Sequence, residues 1–105
     1  MSDASHINVA TEIAGTEAVV RLSGELDLDG AGPVSEKLLS LADGAVRTVV
    51  INASDVTFLD SSGLRALLSA REQLERLDVG MRIESPSAVV ERVLEMTGTR
   101  ELLGA

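Results

Sequence analysis

Residues 47–52 read RTVVIN, a β-branched apolar run with no polar alternation and too short for a helix. Such runs suit a strand buried on both faces, as in the parallel sheets of α/β domains. Residues 56–59 (VTFL) continue the same path and run straight into Asp60-Ser61-Ser62-Gly63. A helix follows at once over 62–77. Leu64, Leu67, Leu68, Leu74 and Leu77 recur there at three- and four-residue steps, and Glu72 and Arg76 form an i,i+4 pair in the favourable orientation.

The remaining segments extend this pattern. Residues 7–13 and 17–23 read as strands joined by a Gly15-Thr16 hairpin turn. Residues 33–42 read as a helix with Pro33 in its first turn and Gly44 beyond its end. Residues 80–84 (GMRIE) form a further core strand. Ser85-Pro86 opens a last helix with Val89, Val90, Val93 and Leu94 on one face and Gly98 as its stop. Strands alternating with helices after a hairpin imply an α/β domain, with a small, mixed, mostly parallel sheet and helices packed on it. The 105 residues suit one domain, with its core over about 7–98 and a short tail over 99–105.

Composition removes several function classes. With no cysteine and one histidine, His6, thiolate and histidine-rich metal sites are out, as is a cysteine nucleophile. His6, near the chain start, is a poor base for a serine hydrolase. Trp and Tyr are absent and Phe58 is the one aromatic, so a stacking platform for single strands is missing. Nine basic against 17 acidic residues give a net charge of −8, which repels nucleic acid and anionic membranes and suits a basic protein partner. No apolar run approaches a membrane span, and residues 1–8 are polar, without a signal-peptide pattern. The expected location is cytoplasmic. No cofactor and no catalytic residue is expected.

The junction at residues 60–63 carries the functional signal. One reading is a helix cap, since Asp and Ser accept hydrogen bonds from free helical N–H groups. The other makes one serine a phosphate acceptor, because a helix N-terminus stabilises a dianion. Three polar residues in a row beside Gly63, between two apolar segments, exceed what a cap needs. Glu25, Asp27, Asp29 and Asp60 lie at strand ends and would form an acidic rim there. The same four carboxylates would alternatively hold Mg²⁺ for phosphotransfer, but the chain's one lysine, Lys37, sits in the first helix, away from them. Arg65, two residues past Gly63, would pair with Asp60 or with a phosphate at Ser61.

Three blocks in order resemble the STAS domain family, and within it the anti-sigma factor antagonists. They are Arg21 to Asp27 (RLSGELD), Asp60-Ser61-Ser62-Gly63-Leu64 after Val50-Ile51-Asn52 and Phe58-Leu59, and Ser85-Pro86 with Val89, Val93, Leu94 and Thr97-Gly98. The likeness covers roughly residues 8–98. The last block carries one extra residue, Thr99 replaces an apolar residue, and the chain stops seven residues after Gly98 where many relatives continue.

That resemblance implies phosphorylation at Ser61, with Ser62 as a docking neighbour or second acceptor. It implies a partner-binding surface built from Glu25, Asp27, Asp29, Asp60, Ser61, Ser62, Gly63 and Arg65. The partner would be an anti-sigma factor that is itself a serine kinase using Mg-ATP. The unphosphorylated chain would bind it and free the sigma factor, and a serine phosphatase would reset the phosphorylated chain. Related domains also serve as scaffold or transport-accessory subunits, some binding small ligands. An apolar edge beside the short tail would permit a homodimer.

Overall fold

The structure, a computed structural model, describes residues 6–104. The polar start noted above therefore lies, for residues 1–5, outside the described residues. Element order is β1 (Ile7–Ala14), β2 (Glu17–Leu26), α1 (Leu28–Leu39), β3 (Thr48–Leu59), α2 (Ser61–Arg76), β4 (Gly80–Glu84) and α3 (Ala88–Thr97). The strands form one sheet in the order β1-β2-β3-β4. β1 and β2 are an antiparallel hairpin, while β2, β3 and β4 run parallel. This is the mixed, mostly parallel sheet the alternation of segments requires.

The RTVVIN run behaves as its composition demands. Val49, Val50 and Ile51 are all buried in β3, although their side chains alternate between faces. Ile51 joins Val20, Leu22, Leu26, Leu38, Leu74, Ile83 and Leu94 in one continuous core. Residues beyond Gly98 add to that core. Leu103 is fully buried, and its carbonyl accepts from Ile83 N–H at 2.8 Å on the outer edge of β4.

Two helix starts differ from the sequence reading by more than one residue. α1 begins at Leu28, five residues before its expected start at Pro33, so Pro33 lies inside the helix. The cause is Asp27, whose carboxylate caps the chain at that point by accepting from Asp29 N–H and Gly30 N–H. Gly30 and Gly32 look like loop residues in the sequence, yet both are helical. A Cβ at Gly30 would lie 2.9 Å from the Ile7 side chain, so its small size lets α1 settle on β1. The last helix is opened by Ser87, not by Ser85-Pro86: the Ser87 hydroxyl accepts from Val90 N–H at 3.2 Å. Pro86 stands just outside, after Ser85 at a positive φ of 51°. Gly98, at φ 69°, ends α3 in the left-handed conformation its lack of a Cβ favours.

β2 also runs three residues further than expected, through Gly24 to Leu26. Gly24 sits at φ 103°, and a Cβ there would collide with the His6 carbonyl. That carbonyl accepts from Glu25 N–H at 3.0 Å. The extension brings the end of β2 level with the end of β3, and this alignment builds the site.

Candidate functional site

Leu26 and Leu59 are register partners on the parallel strands β2 and β3. Each is the last residue of its strand, and each is followed by an aspartate that caps a helix. Asp27 caps α1. Asp60 caps α2, its Oδ1 accepting from Gly63 N–H at 2.9 Å while its backbone carbonyl accepts from Leu64 N–H at 3.0 Å. The two helices pack against each other. Two helix N-termini therefore open side by side at the C-terminal ends of adjacent parallel strands, where α/β sheets place their sites.

Gly63 makes this arrangement close. A Cβ there would run into the Leu26 carbonyl and lie 2.8 Å and 2.9 Å from the Leu26 and Leu59 side chains. No side chain fits between the first turn of α2 and the end of β2.

Asp60 therefore fills the capping role, which leaves the two serines after it unused as caps. Ser61 is the first residue of α2 and is exposed. Its hydroxyl makes no hydrogen bond among the described residues. Ser62 is half-buried and faces an open groove of about 340 Å³ between α1 and α2. Leu28, Ala31, Gly32 and Ser35 line it from α1, and Ser62 and Arg65 from α2. Arg65 is exposed, and the expected pair with Asp60 does not form.

The acidic residues are distributed differently from a metal site. Glu25 is exposed on β2 opposite Phe58, Asp29 is exposed in the first turn of α1, and Asp27 and Asp60 are half-buried caps. Among the described residues no group of three or more acidic or histidine side chains gathers so as to hold a metal ion. Glu25, Asp27, Asp29 and Asp60 do occupy the same end of the sheet, as strand-end and first-turn residues.

Two residues at this end were not singled out as contact residues in the sequence. Leu28, the first residue of α1, is 72% exposed, and Phe58 is 46% exposed. Both look like core residues by composition. Leu28 is turned outward because Asp27 starts the helix one residue earlier, with Gly30 as its first buried position. Phe58 is turned outward because Leu59 takes the inward position beside Leu26. Alternation from the buried Val56 would turn Phe58 inward, and a register shift that skips Thr57, between Gly24↔Val56 and Glu25↔Phe58, reverses it. Nothing in the sequence signalled Leu28.

The STAS domain family model matches residues 8–104. A Staphylococcus aureus anti-sigma-B factor antagonist is 26% identical over 98 residues, spanning 93% of this chain and 91% of the relative. The anti-sigma factor antagonist SpoIIAA in its unphosphorylated form superposes with a TM-score of 0.77 at 28% identity, covering 90% of this chain and 84% of that one. The Bacillus cell-fate determinant SpoIIAA in its phosphorylated form gives a TM-score of 0.72 at 26% identity, over 91% of this chain and 87% of the other. Among the described residues no helix is long and apolar enough to cross a membrane.

Proposed function

The chain belongs to the STAS domain family, and from that premise we propose that it is an anti-sigma factor antagonist switched by phosphorylation at Ser61. Unphosphorylated, it binds an anti-sigma factor that is a serine kinase, and the sigma factor is released. Phosphorylated, it lets go, and a serine phosphatase restores it. The observation that carries this reading is the state of Ser61: an exposed, unbonded hydroxyl at the first position of α2, beside a cap that Asp60 already supplies. A structural relative carrying the same topology has been solved in a phosphorylated form.

The chemistry asks little of this chain. Transfer of a phosphoryl group needs bound nucleotide and metal, and the kinase brings Mg-ATP. What the chain supplies is position and exposure. The free N–H groups in the first turn of α2 favour the dianion once formed. Around them stand Asp27, Asp60 and the exposed Leu28 and Phe58, a mixed surface for a partner that offers basic groups and an apolar contact. A phosphate adds roughly −1.5 to −2 charge beside those carboxylates. If a partner covers the site, the new charge is desolvated without a counter-ion, and affinity falls tenfold for each ~1.4 kcal/mol of penalty.

Titration calorimetry with the anti-sigma factors of the same organism tests this. The wild-type chain binds one of them, and Ser61→Glu binds it at least tenfold more weakly. Equal binding by the two chains contradicts the switch.

A further inference from the structure

We propose that Arg65 responds to the state of Ser61: a phosphate on Ser61 pairs with the Arg65 guanidinium and so competes for it with the groove between α1 and α2. This rests on the Ser61 reading given above and adds the intramolecular partner of the phosphate. Ser61 and Arg65 are four residues apart on α2, with the anionic position N-terminal to the cationic one, the favourable orientation for such a pair. Helical side chains lean toward the N-terminus, which favours the approach of Arg65 to the turn that carries Ser61.

Arg65 is also available. α2 holds two other arginines, and both are engaged: Arg76 pairs with Glu72 at 3.0 Å and Arg71 with Glu75 at 3.4 Å. Arg82 and Arg100 pair with glutamates elsewhere. Among the described residues no ion pair engages Arg65, and it is the one cation lining the groove. Its nearest acidic neighbour in sequence, Asp60, has turned an oxygen to Gly63 N–H. Arg21, Arg47 and Arg92 also lack an ion pair among the described residues, and what sets Arg65 apart is its place one turn from the exposed Ser61. Before phosphorylation the same guanidinium is free to meet a partner's carboxylate in the groove. Afterwards the phosphate competes for it with about a twofold preference, the ratio that 0.3 pKa unit represents.

The test uses full-length protein with phosphoserine installed at position 61 during synthesis, so that no kinase is needed. The phosphate is titrated by ³¹P NMR at low salt in three backgrounds: unchanged, Arg65→Gln, and Arg92→Gln as an exposed control on α3. Pairing lowers the second phosphate pKa, so Arg65→Gln raises it by about 0.3 unit, and Arg92→Gln leaves it unchanged. Arg65→Lys recovers part of the difference, and about 1 M salt removes it by screening. Identical titration with and without Arg65 overturns the proposal. Failure of a kinase to modify Ser61 would instead strike the underlying switch, and the installed phosphate separates the two results.

Discussion

Asp27 and Asp60 are structural equivalents. Each follows one of the register-paired residues Leu26 and Leu59, and each turns its carboxylate back to cap the helix that begins there. The site is thus a doubled strand-to-helix junction, and the serines belong to its second copy only. Capping is a hydrogen-bond function, which asparagine performs as well as aspartate. Asp60→Ala is therefore expected to cost about 1 kcal/mol in urea unfolding, and Asp60→Asn a few tenths. Equal loss in both would mean that the charge, and not the cap, stabilises the start of α2.

Two glycines in neighbouring helices should respond oppositely to alanine. At Gly63 the new methyl meets the Leu26 carbonyl, which belongs to the sheet and cannot yield. Gly63→Ala is expected to lose about 1–3 kcal/mol despite the better helix propensity. At Gly32, exposed on α1, nothing lies within 4 Å of the added carbon. Gly32→Ala is expected to gain about 0.5–1 kcal/mol. Denaturant midpoints of the two variants measure both.

Much of this was legible in the sequence, and the failures have a common cause. Strand β4 was read with its observed limits, and β3, α2 and the Glu72–Arg76 pair were read nearly so, because each is decided by local periodicity. The start of α1 was not, because Gly30, Gly32 and Pro33 signal a break locally. Their helical state depends on a distant contact with Ile7 and on the Asp27 cap. The same limit hid the site's apolar contribution. Leu28 and Phe58 have core-like side chains, and only the register of the strand ends turns them to solvent.

Those two residues give a prediction about docking. Leu28→Ser and Phe58→Ala remove exposed surface, so each should change stability by no more than about 0.5 kcal/mol for Leu28 and slightly more for the half-exposed Phe58. Binding to the proposed anti-sigma factor partner should weaken about tenfold, the loss expected of a side chain that anchors an interface. Unchanged affinity in both would place the docking surface elsewhere.

Acid stability carries a further expectation at Asp43. Its carboxylate accepts from Ala45 N–H at 3.0 Å and Val46 N–H at 3.4 Å, and these bonds, Ala45 first, hold its pKa below the ordinary 3.8. A folded-state pKa below the unfolded one stabilises the fold above the unfolded value, and that contribution is lost as pH falls through the lowered folded value. The stability gap between wild type and Asp43→Asn should accordingly narrow as pH drops below about 3.8. A gap independent of pH would show that the bonds do not depend on the charge.

The central claim is that Ser61, exposed and unbonded at the head of α2, is the switch. Intact-mass spectrometry after incubation with Mg-ATP and the anti-sigma factor kinases of the same organism addresses it directly, with Ser61→Ala and Ser62→Ala run alongside. One phosphate on the wild-type chain and on Ser62→Ala, and none on Ser61→Ala, is the predicted result. A phosphate retained by Ser61→Ala, or none on any chain despite binding, would contradict it.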